Sequence, residues 1–214
     1  REFKMKKKTM PKLQIIGPVY NEEEVIEDFF NRLNKTLNTL KSKYQCKIMF
    51  VVDKSSDNTI LKLEKIASKN KNVQLLILSS RFGHQMSLVA GMDHSEADAT
   101  IMMDTDLQHP PEMIPSFLRE YENGHDIVLG IRNVPVDKNF LKKLGSNYFY
   151  KLLNFFADIN LKKGEADFRL VSKKVLNVFN SQIREQNQFL RGLFSWVGFK
   201  KSLVYFDAEE RYRG

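Results

Sequence analysis

Residues 101–112, IMMDTDLQHPPE, decide how the chain folds and where its chemistry lies. Apolar residues typical of a buried strand end at Asp104, and a second carboxylate, Asp106, follows two positions later. Because side chains at positions i and i+2 of an extended chain point the same way, these two acids can share one ligand. Ligands of open parallel sheets bind beyond the carboxyl ends of the strands, so a binding site is predicted here.

Strand and helix patterns alternate on both sides of this stretch. We predict five strands, separated by amphipathic helices, at KLQIIGPVY (12–20), CKIMFVVD (46–53), VQLLIL (73–78), ATIMMD (99–104) and DIVLG (126–130). Asn21 is predicted to cap the first helix, with Glu24 completing a capping box. The alternation indicates an α/β fold with a mainly parallel sheet that is flanked by helices on both faces.

The composition fits one domain of ordinary globular character. The chain has 214 residues, of which 42% are apolar and 28% charged. Its single cysteine, Cys46, excludes a disulfide framework and a cysteine-based zinc site, and fits a reducing compartment. No apolar stretch approaches the ~20 residues of a membrane span, and no signal peptide is recognisable.

The net charge of +8 calls for an anionic partner. Nucleic acid, anionic lipid and phosphorylated small molecules all qualify. Nucleic acid ranks last, because the sequence contains no recognition helix, zinc finger or aromatic RNA-binding motif.

The chain divides into a basic tail and two regions of one domain. Residues 1–11 form the tail, in which REF (1–3) is interpreted as an expression scar. Residues 12–131 are predicted to form a nucleotide-binding α/β half. Residues 132–214 break the rhythm and include NFLKKLGSNYFYKLLNFFADINL (139–161). That stretch suits either a partly buried helix pair or a helix at a bilayer interface.

Paired carboxylates at a strand end favour a metal ion. Two like charges held close either raise a pKa or capture a cation, and oxygen-only ligands favour Mg²⁺ or Mn²⁺ over Zn²⁺. The simpler alternative is an ordinary turn, since Asp and Thr are common turn residues. Asp53, a further acid at the end of a neighbouring strand, favours the metal site over the turn. His109 either ligates the metal or caps the turn, and we favour the cap.

Seven stretches, taken in order, resemble one family. They are GPVYNEEE (17–24), FVVDKSSDNT (50–59), LSSRFGHQMSLVAGMDH (78–94), MDTDLQHPPE (103–112), GIR (130–132), ADFRLVSKKV (166–175) and FLRGLFSWVGF (189–199). Together they resemble glycosyltransferase family 2, the inverting enzymes of GT-A (Rossmann-like) fold. The similarity is strongest to its polyprenyl-phosphate branch, which includes bactoprenol glucosyltransferases and dolichol-phosphate mannose synthase.

The resemblance implies a role for each matching position. Asp104 and Asp106 would bind the metal, and the catalytic residues would be Asp106, Asp167 and Arg191. The residues that contact the donor or its phosphates would be Pro18, Tyr20, Glu22, Asp53, Asp104, Gln108, Arg132 and Gln188. Simpler readings remain: Asp167 as a helix cap, and both arginines as surface charges.

The implied function is transfer of a hexose, by resemblance glucose from a UDP-sugar, to undecaprenyl or another polyprenyl phosphate. Mg²⁺ or Mn²⁺ would be the cofactor, and the catalytic domain would lie at the cytoplasmic face of a membrane. Residues 132–214 would form an acceptor-side helical region, followed in the natural protein by transmembrane helices beyond RYRG (211–214). Members of this branch often assemble into homo-oligomers; here that is left open.

Departures from the family pattern keep alternatives open. Val52 and Lys54 stand where the family has a polar residue and a glycine, and a positive φ at Lys54 would cost roughly 1–2 kcal/mol. After Arg132 the family's second arginine is missing, so Lys138, Lys142 or Lys143 would contact the acceptor phosphate. The alternatives are transfer to a glycan hydroxyl, with Asp167 as base, and a non-catalytic nucleotide-sugar-binding module.

Overall fold

The computed structural model describes residues 10–133, 162, 164–184 and 189–209. Its strands are β1 (Lys12–Val19), β2 (Gln45–Val52), β3 (Val73–Ile77), β4 (Ala99–Met102), β5 (Ile127–Arg132), β6 (Glu165–Ser172) and β7 (Lys201–Phe206). Its helices are α1 (Ile26–Leu40), α2 (Thr59–Lys69), α3 (His84–Asp93), α4 (Ile114–Glu122), α5 (Lys173–Gln182) and α6 (Leu190–Trp196). A 3-10 turn, Pro111–Met113, leads into α4.

The described strands form one sheet of seven in the order β3-β2-β1-β4-β6-β5-β7. Strands β1 to β4 pair in parallel, β5 pairs in parallel with β7, and β6 is antiparallel to both of its neighbours. Every strand except β6 therefore runs in one direction, which confirms the predicted mainly parallel sheet. The described part of the region 132–214 adds strands β6 and β7 as well as two helices; neither strand was predicted.

Helices cover both faces of this sheet, as predicted. On one face, α1, α2 and α4 pack on a core that includes Phe29, Phe50 and Phe117. On the other, α3, α5 and α6 pack on a core that includes Phe179 and Phe194, whose rings stack at 4.3 Å between centroids. Apolar residues at helical spacing thus bury one side of each helix against alternate residues of the strands.

Helix α3 lies unusually close to the sheet. A Cβ added at Gly91 would sit 2.5 Å from Cγ2 of Ile16 and 3.1 Å from Cγ2 of Val51. Only a residue without a side chain allows α3 to approach the sheet this closely.

Strand β6 begins where β5 ends. The N–H of Arg132 donates to the carbonyl of Gly164 at 2.9 Å, and Ile131 pairs with Glu165. Because β6 is antiparallel, its first residues lie at the edge of the sheet where β1, β2 and β4 have their carboxyl ends.

Asn21 does not cap α1, so that prediction is wrong. The helix begins at Ile26 with Val25 as its N-cap residue, and Asn21 adopts a left-handed conformation with φ of 52°. Its side chain serves the neighbouring loop: Oδ1 accepts the N–H of Ser56 at 2.8 Å, and Nδ2 donates to the Ser56 hydroxyl at 3.2 Å. A contact distant in sequence has outcompeted the local cap.

Val52 and Lys54, the two departures from the family pattern near the end of β2, have little effect on the backbone or the pocket surface. In the described part of the chain, Asn21 and Leu107 are the only non-glycine residues with positive φ, so the strain suggested for Lys54 does not arise. Val52 is fully buried in the core beneath α1 and α2. Within the described ranges, no helix has the length and apolarity needed to cross a bilayer.

Candidate active site

The ends of β1, β2 and β4 and the start of α3 enclose a pocket of about 310 Å³. Six residues predicted from the sequence line it: Pro18, Tyr20, Glu22, Asp53, Asp104 and Asp106. Further lining residues are Val19, Arg81, Gly83, His84, Ser87 and Thr105. The structure thus brings together residues from three separate strand ends, as expected for an open parallel sheet.

The loops after β1 and β4 are joined at the pocket floor. The hydroxyl of Thr105 donates to the carbonyl of Pro18 at 3.0 Å. A Cβ on Gly17 would lie 2.8 Å from Cγ2 of Thr105, so glycine permits this approach. The middle residue of the Asp104–Thr105–Asp106 turn therefore anchors the turn, while the two acids face the pocket.

Asp53 organises one wall of the pocket. Its carboxylate accepts the N–H groups of Phe82, Gly83 and Lys54 at 2.9, 2.8 and 3.1 Å. The first two bonds hold the loop between β3 and α3, in which Gly83 has a φ of 85°. Contact of Asp53 with the nucleoside stays a prediction; the geometry shows that this carboxylate positions the loop carrying Arg81 and His84.

Tyr20 and Arg81 form the outer wall. The guanidinium carbon of Arg81 lies 4.1 Å from the centroid of the Tyr20 ring, within the range of a cation–π contact. An aromatic plane and a fixed cation at a pocket mouth suit a planar, anionic guest such as a nucleotide.

Asp104 is held between two histidines. Nε2 of His84 is 2.7 Å from Oδ1, and Nε2 of His109 is 3.4 Å from Oδ2. Burial alone would raise the pKa of Asp104, but the hydrogen bond from His84 and the nearby positive charge of Arg132 outweigh it and lower that pKa to about 2. Burial acts against protonation of His84, yet its bond to Asp104 raises the pKa of the imidazole.

His109 caps the turn, which confirms the simpler interpretation. The N–H of Asp104 donates to Nδ1 at 2.9 Å, so this nitrogen is an acceptor and the proton of the neutral ring lies on Nε2. The ring is fully buried and stacks on Phe168 with 5.1 Å between centroids, and this burial lowers its pKa.

Gln108 and Arg132 meet beside the same turn. Nη2 of Arg132 donates to Oε1 of Gln108 at 3.2 Å and lies 3.3 Å from Nε2 of His109. The N–H of Gln108 in turn donates to Oδ1 of Asp106 at 3.1 Å. The end of β5 thus places a guanidinium beside Gln108 and near Asp104. That Arg132 faces a phosphate, as the resemblance implies, stays a prediction.

Asp167 and Arg191 form a second cluster on the opposite side of His84. Asp167 lies on β6, is 5% exposed, and accepts hydrogen bonds from Arg169, Arg191 and the Gln85 amide. Nδ1 of His84 lies 4.0 Å from Oδ2 of Asp167. Burial would raise the pKa of Asp167, but the arginines lower it, so the carboxylate stays ionised. Asp167 does not cap a helix, and Arg191 is not an isolated surface charge.

Asp104 and Asp106 offer a donor set that suits Mg²⁺ or Mn²⁺. Both line the same pocket, both present oxygen atoms, and the described residues hold no cluster of three or more metal-binding His, Cys, Asp or Glu side chains. A hard cation bound by one or two carboxylates normally completes its shell with water and substrate phosphate. The pair therefore fits a metal that arrives with a diphosphate.

Sequence reasoning missed Arg81, His84, Gln85 and Arg169. The first three follow β3, and the rule that polar residues collect beyond strand ends would have found them had it been applied to SSRFGHQ (79–85). Arg169 gave no such signal, because a buried arginine in a strand is rare. Gln188 and the three lysines considered for the acceptor phosphate, Lys138, Lys142 and Lys143, lie outside the described residues, as does the aromatic stretch 139–161.

Two solved structures share the fold of the described residues. Glucosyl-3-phosphoglycerate synthase from Mycobacterium tuberculosis, in complex with Mn²⁺, UDP-glucose and phosphoglyceric acid, matches with a TM-score of 0.59 at 14% identity, over 95% of this chain and 73% of that one. TarS of S. aureus matches with a TM-score of 0.58 at 18% identity, over 92% and 36% of the two chains. The described residues thus adopt the GT-A fold.

The sequence comparisons identify the family. The sequence model of the family described as "Glycosyl transferase family 2" matches residues 14–179, and the chain belongs to that family. It is 36% identical over 202 residues to the uncharacterized glycosyltransferase sll0501 of Synechocystis, covering 94% of this chain and 63% of the relative. It is 35% identical over 203 residues to the prophage bactoprenol glucosyl transferase homolog of Escherichia coli, covering 95% and 65%. The chain thus spans less than two thirds of the length of these relatives.

Proposed function

We propose that the chain is the catalytic part of an inverting glycosyltransferase that moves glucose from UDP-glucose to a polyprenyl phosphate at a membrane surface. Relatives named bactoprenol glucosyl transferase, 34–35% identical over 203 residues, support the sugar and the acceptor. The structurally similar synthase in complex with Mn²⁺ and UDP-glucose supports the donor and the metal. The net charge of +8 supports contact with an anionic membrane surface.

The donor would occupy the 310 Å³ pocket. Tyr20 and Arg81 would contact the nucleoside end, and Asp104 and Asp106 would hold Mg²⁺ or Mn²⁺ at the diphosphate. The bound cation would supply neutralisation of the charge that develops on the leaving diphosphate. Arg132, packed against Gln108, adds a fixed positive charge at the same end. Binding and leaving-group stabilisation would thus depend on groups fixed before the substrate arrives.

The hydrogen bonds of Asp167 are the observation that distinguishes a phosphate acceptor from a hydroxyl acceptor. A phosphate monoester has a second pKa of about 6, so a lipid phosphate is already anionic at neutral pH and needs no strong base. Asp167 suits such an acceptor, because Arg169 and Arg191 bind its oxygens and lower its pKa. A hydroxyl acceptor would need a base whose pKa lies near the working pH. The geometry therefore favours the phosphate.

In this scheme Asp167 orients Arg191 instead of removing a proton. The side chain of Arg191 is 43% exposed, so its outer edge is accessible while its inner edge binds Asp167. An acceptor phosphate oxygen would attack the anomeric carbon from the side opposite the diphosphate, with inversion. Arg191 would stabilise the phosphate charges that flank this displacement. The alternative of a non-catalytic module was based on two departures from the family pattern, Val52 and Lys54. Neither supports it now, because Val52 faces the core and Lys54 has a negative φ.

Calorimetric titration with UDP and with GDP, each with and without Mn²⁺, tests the donor site. We expect metal-dependent UDP binding that Asp104→Asn abolishes. Asp28→Asn, an exposed acid on α1, should bind UDP like the wild type. Preference for GDP would contradict the donor, and lack of binding to either nucleotide would overturn the catalytic proposal.

Transfer of radiolabelled glucose then tests the acceptor. Vesicles that contain polyprenyl phosphate should be labelled by the wild type, and matched vesicles that contain the unphosphorylated polyprenol should not. Equal labelling of both vesicles would point to a hydroxyl acceptor instead.

A further inference from the structure

Strand β6 carries a row of ionisable side chains on one face. Glu165, Asp167 and Arg169 alternate along the strand, so they point to the same side of the sheet, toward α3 and α6. All three are buried. Arg191 of α6 and Gln85 of α3 meet this row at Asp167. Asp167 brings this cluster within 4.0 Å of His84, which lines the candidate pocket.

Arg169 is fully buried within this row. Its Nη2 donates to Oδ1 of Asp167 at 2.6 Å and to the carbonyl of Ala166 at 3.1 Å, and its guanidinium lies 4.8 Å from the ring centroid of Phe194. Within the described ranges, its Nε and Nη1 have no hydrogen-bond partner. Removing a guanidinium from water is costly, and an apolar residue of similar volume is often as stabilising at such a site. Stability alone therefore gives no reason for a cation here.

Asp167 is the anionic partner of Arg169. Glu165 is also close to the guanidinium, but neither of its oxygens has a hydrogen-bond partner in the described structure, and burial raises its pKa. The short bond to Asp167 thus fixes one oxygen of that carboxylate from inside the core. Arg191 binds the same carboxylate from the solvent side, with Nε 3.1 Å from Oδ1 and Nη2 2.8 Å from Oδ2.

We infer that Arg169 is a positioning residue for the transfer reaction: it holds the Asp167 carboxylate in one plane and so fixes the direction in which Arg191 faces the phosphates. Arg169 itself touches no substrate, since it is fully buried. The inference rests on the function proposed above. Without Arg169, the carboxylate would keep Arg191 and the longer 3.4 Å bond from Gln85, a looser hold in which it can rotate and Arg191 with it.

The test is a kinetic double-mutant cycle on Arg169 and Asp167 in the vesicle assay. Arg169→Met should lower kcat at least tenfold while the calorimetric Kd for UDP with Mn²⁺ changes less than threefold. Arg169→Lys, which keeps a cation, should recover part of the lost kcat. In an Asp167→Asn background, Arg169→Met should change kcat less than twofold, because the partner through which it acts is already altered.

Matched controls separate positioning from general damage. Arg184→Met removes an exposed arginine that pairs with Asp93 far from the site, and should leave kcat unchanged. Should Arg169→Met fail to fold, the double variant, which removes both charges together, still gives the comparison with Asp167→Asn. Two results would overturn this inference and leave the proposed function standing. One is a kcat loss in the double variant equal to the product of the losses in the two single variants, and the other is a kcat for Arg169→Met like that of the wild type. Absence of transfer by the wild type would overturn the proposed function, and the inference with it.

Discussion

Arg191 donates hydrogen bonds to both carboxylate oxygens of Asp167, from Nε to Oδ1 at 3.1 Å and from Nη2 to Oδ2 at 2.8 Å. The pair joins helix α6 to strand β6 across 24 positions of sequence. Paired contacts of this kind match the planar guanidinium to the planar carboxylate and are the stronger class of ion pair. Asp167 is therefore a fixed anion at the edge of the candidate site.

Loss of this anion should destabilise the fold. Asp167→Asn leaves the fully buried Arg169 without its hydrogen-bonded anion, and breaking a buried pair costs about 3–5 kcal/mol. We expect urea unfolding at pH 7 to show a decrease of about 3 kcal/mol in the free energy of unfolding. Asp93→Asn removes a solvent-screened surface pair with Arg184 and should leave the free energy of unfolding nearly unchanged. Equal losses in the two variants would contradict the buried role of Asp167.

The pair of His84 with Asp104 should make stability depend on pH. The folded state raises the pKa of His84, so its contribution is fully present below the unfolded pKa of about 6.5 and is lost as the pH rises through the folded pKa. His84→Gln should therefore destabilise the protein more at pH 6 than at pH 9, as measured by urea unfolding at both values. In an Asp104→Asn background this difference should disappear; if it persists, another group is responsible.

Asn21 should tolerate glycine better than alanine. Both substitutions lose the bonds to Ser56, but only alanine must then hold the left-handed conformation at φ of 52°, at a further cost of roughly 1–2 kcal/mol. Thermal and urea unfolding of the two variants provide the comparison. A glycine variant as unstable as the alanine variant would show that backbone strain at this position is negligible.

Gly91→Ala should destabilise the protein although alanine is the better helix former. Helix propensity favours alanine by roughly 1 kcal/mol, but the added Cβ would overlap Ile16, and overpacking of a core costs about 1–3 kcal/mol. We expect a net loss in the free energy of unfolding. Gly198→Ala is the matched control, because its added Cβ meets nothing within 4 Å. A stabilised Gly91→Ala variant would mean that α3 can shift away from the sheet.

The sequence was sufficient for the first five strands and for half of the residues that line the pocket. Their residues follow simple periodic patterns, and the acids lie where those patterns stop, as at Asp53 and Asp104. Strand β6 was missed because Glu165, Asp167 and Arg169 interrupt its apolar pattern while facing inward. Their partners, Arg191 and Gln85, come from distant helices, so nothing local marks the strand as buried.

Other parts of the site depend on non-local pairing in the same way. Whether β6 runs parallel or antiparallel is decided by its neighbours β4 and β5, and no local pattern in ADFRLV records it. Asn21 shows the same limit at smaller scale, since the loop at Ser56 uses the side chain that the local pattern assigned to a helix cap.

The bond between Arg132 and Gly164 gives the fold a natural grafting point. The chain leaves the sheet and re-enters it at two adjacent backbone positions, 2.9 Å apart, on the rim that also carries Asp104 and Asp106. The entropy of closing the intervening stretch grows slowly, by only about 0.6 kcal/mol for each doubling of its length. Evolution, or a protein engineer, can therefore replace that stretch with another of different length while the candidate pocket, built from other strands, keeps its geometry. If the proposed function holds, such an exchange would let one donor site be combined with different acceptors.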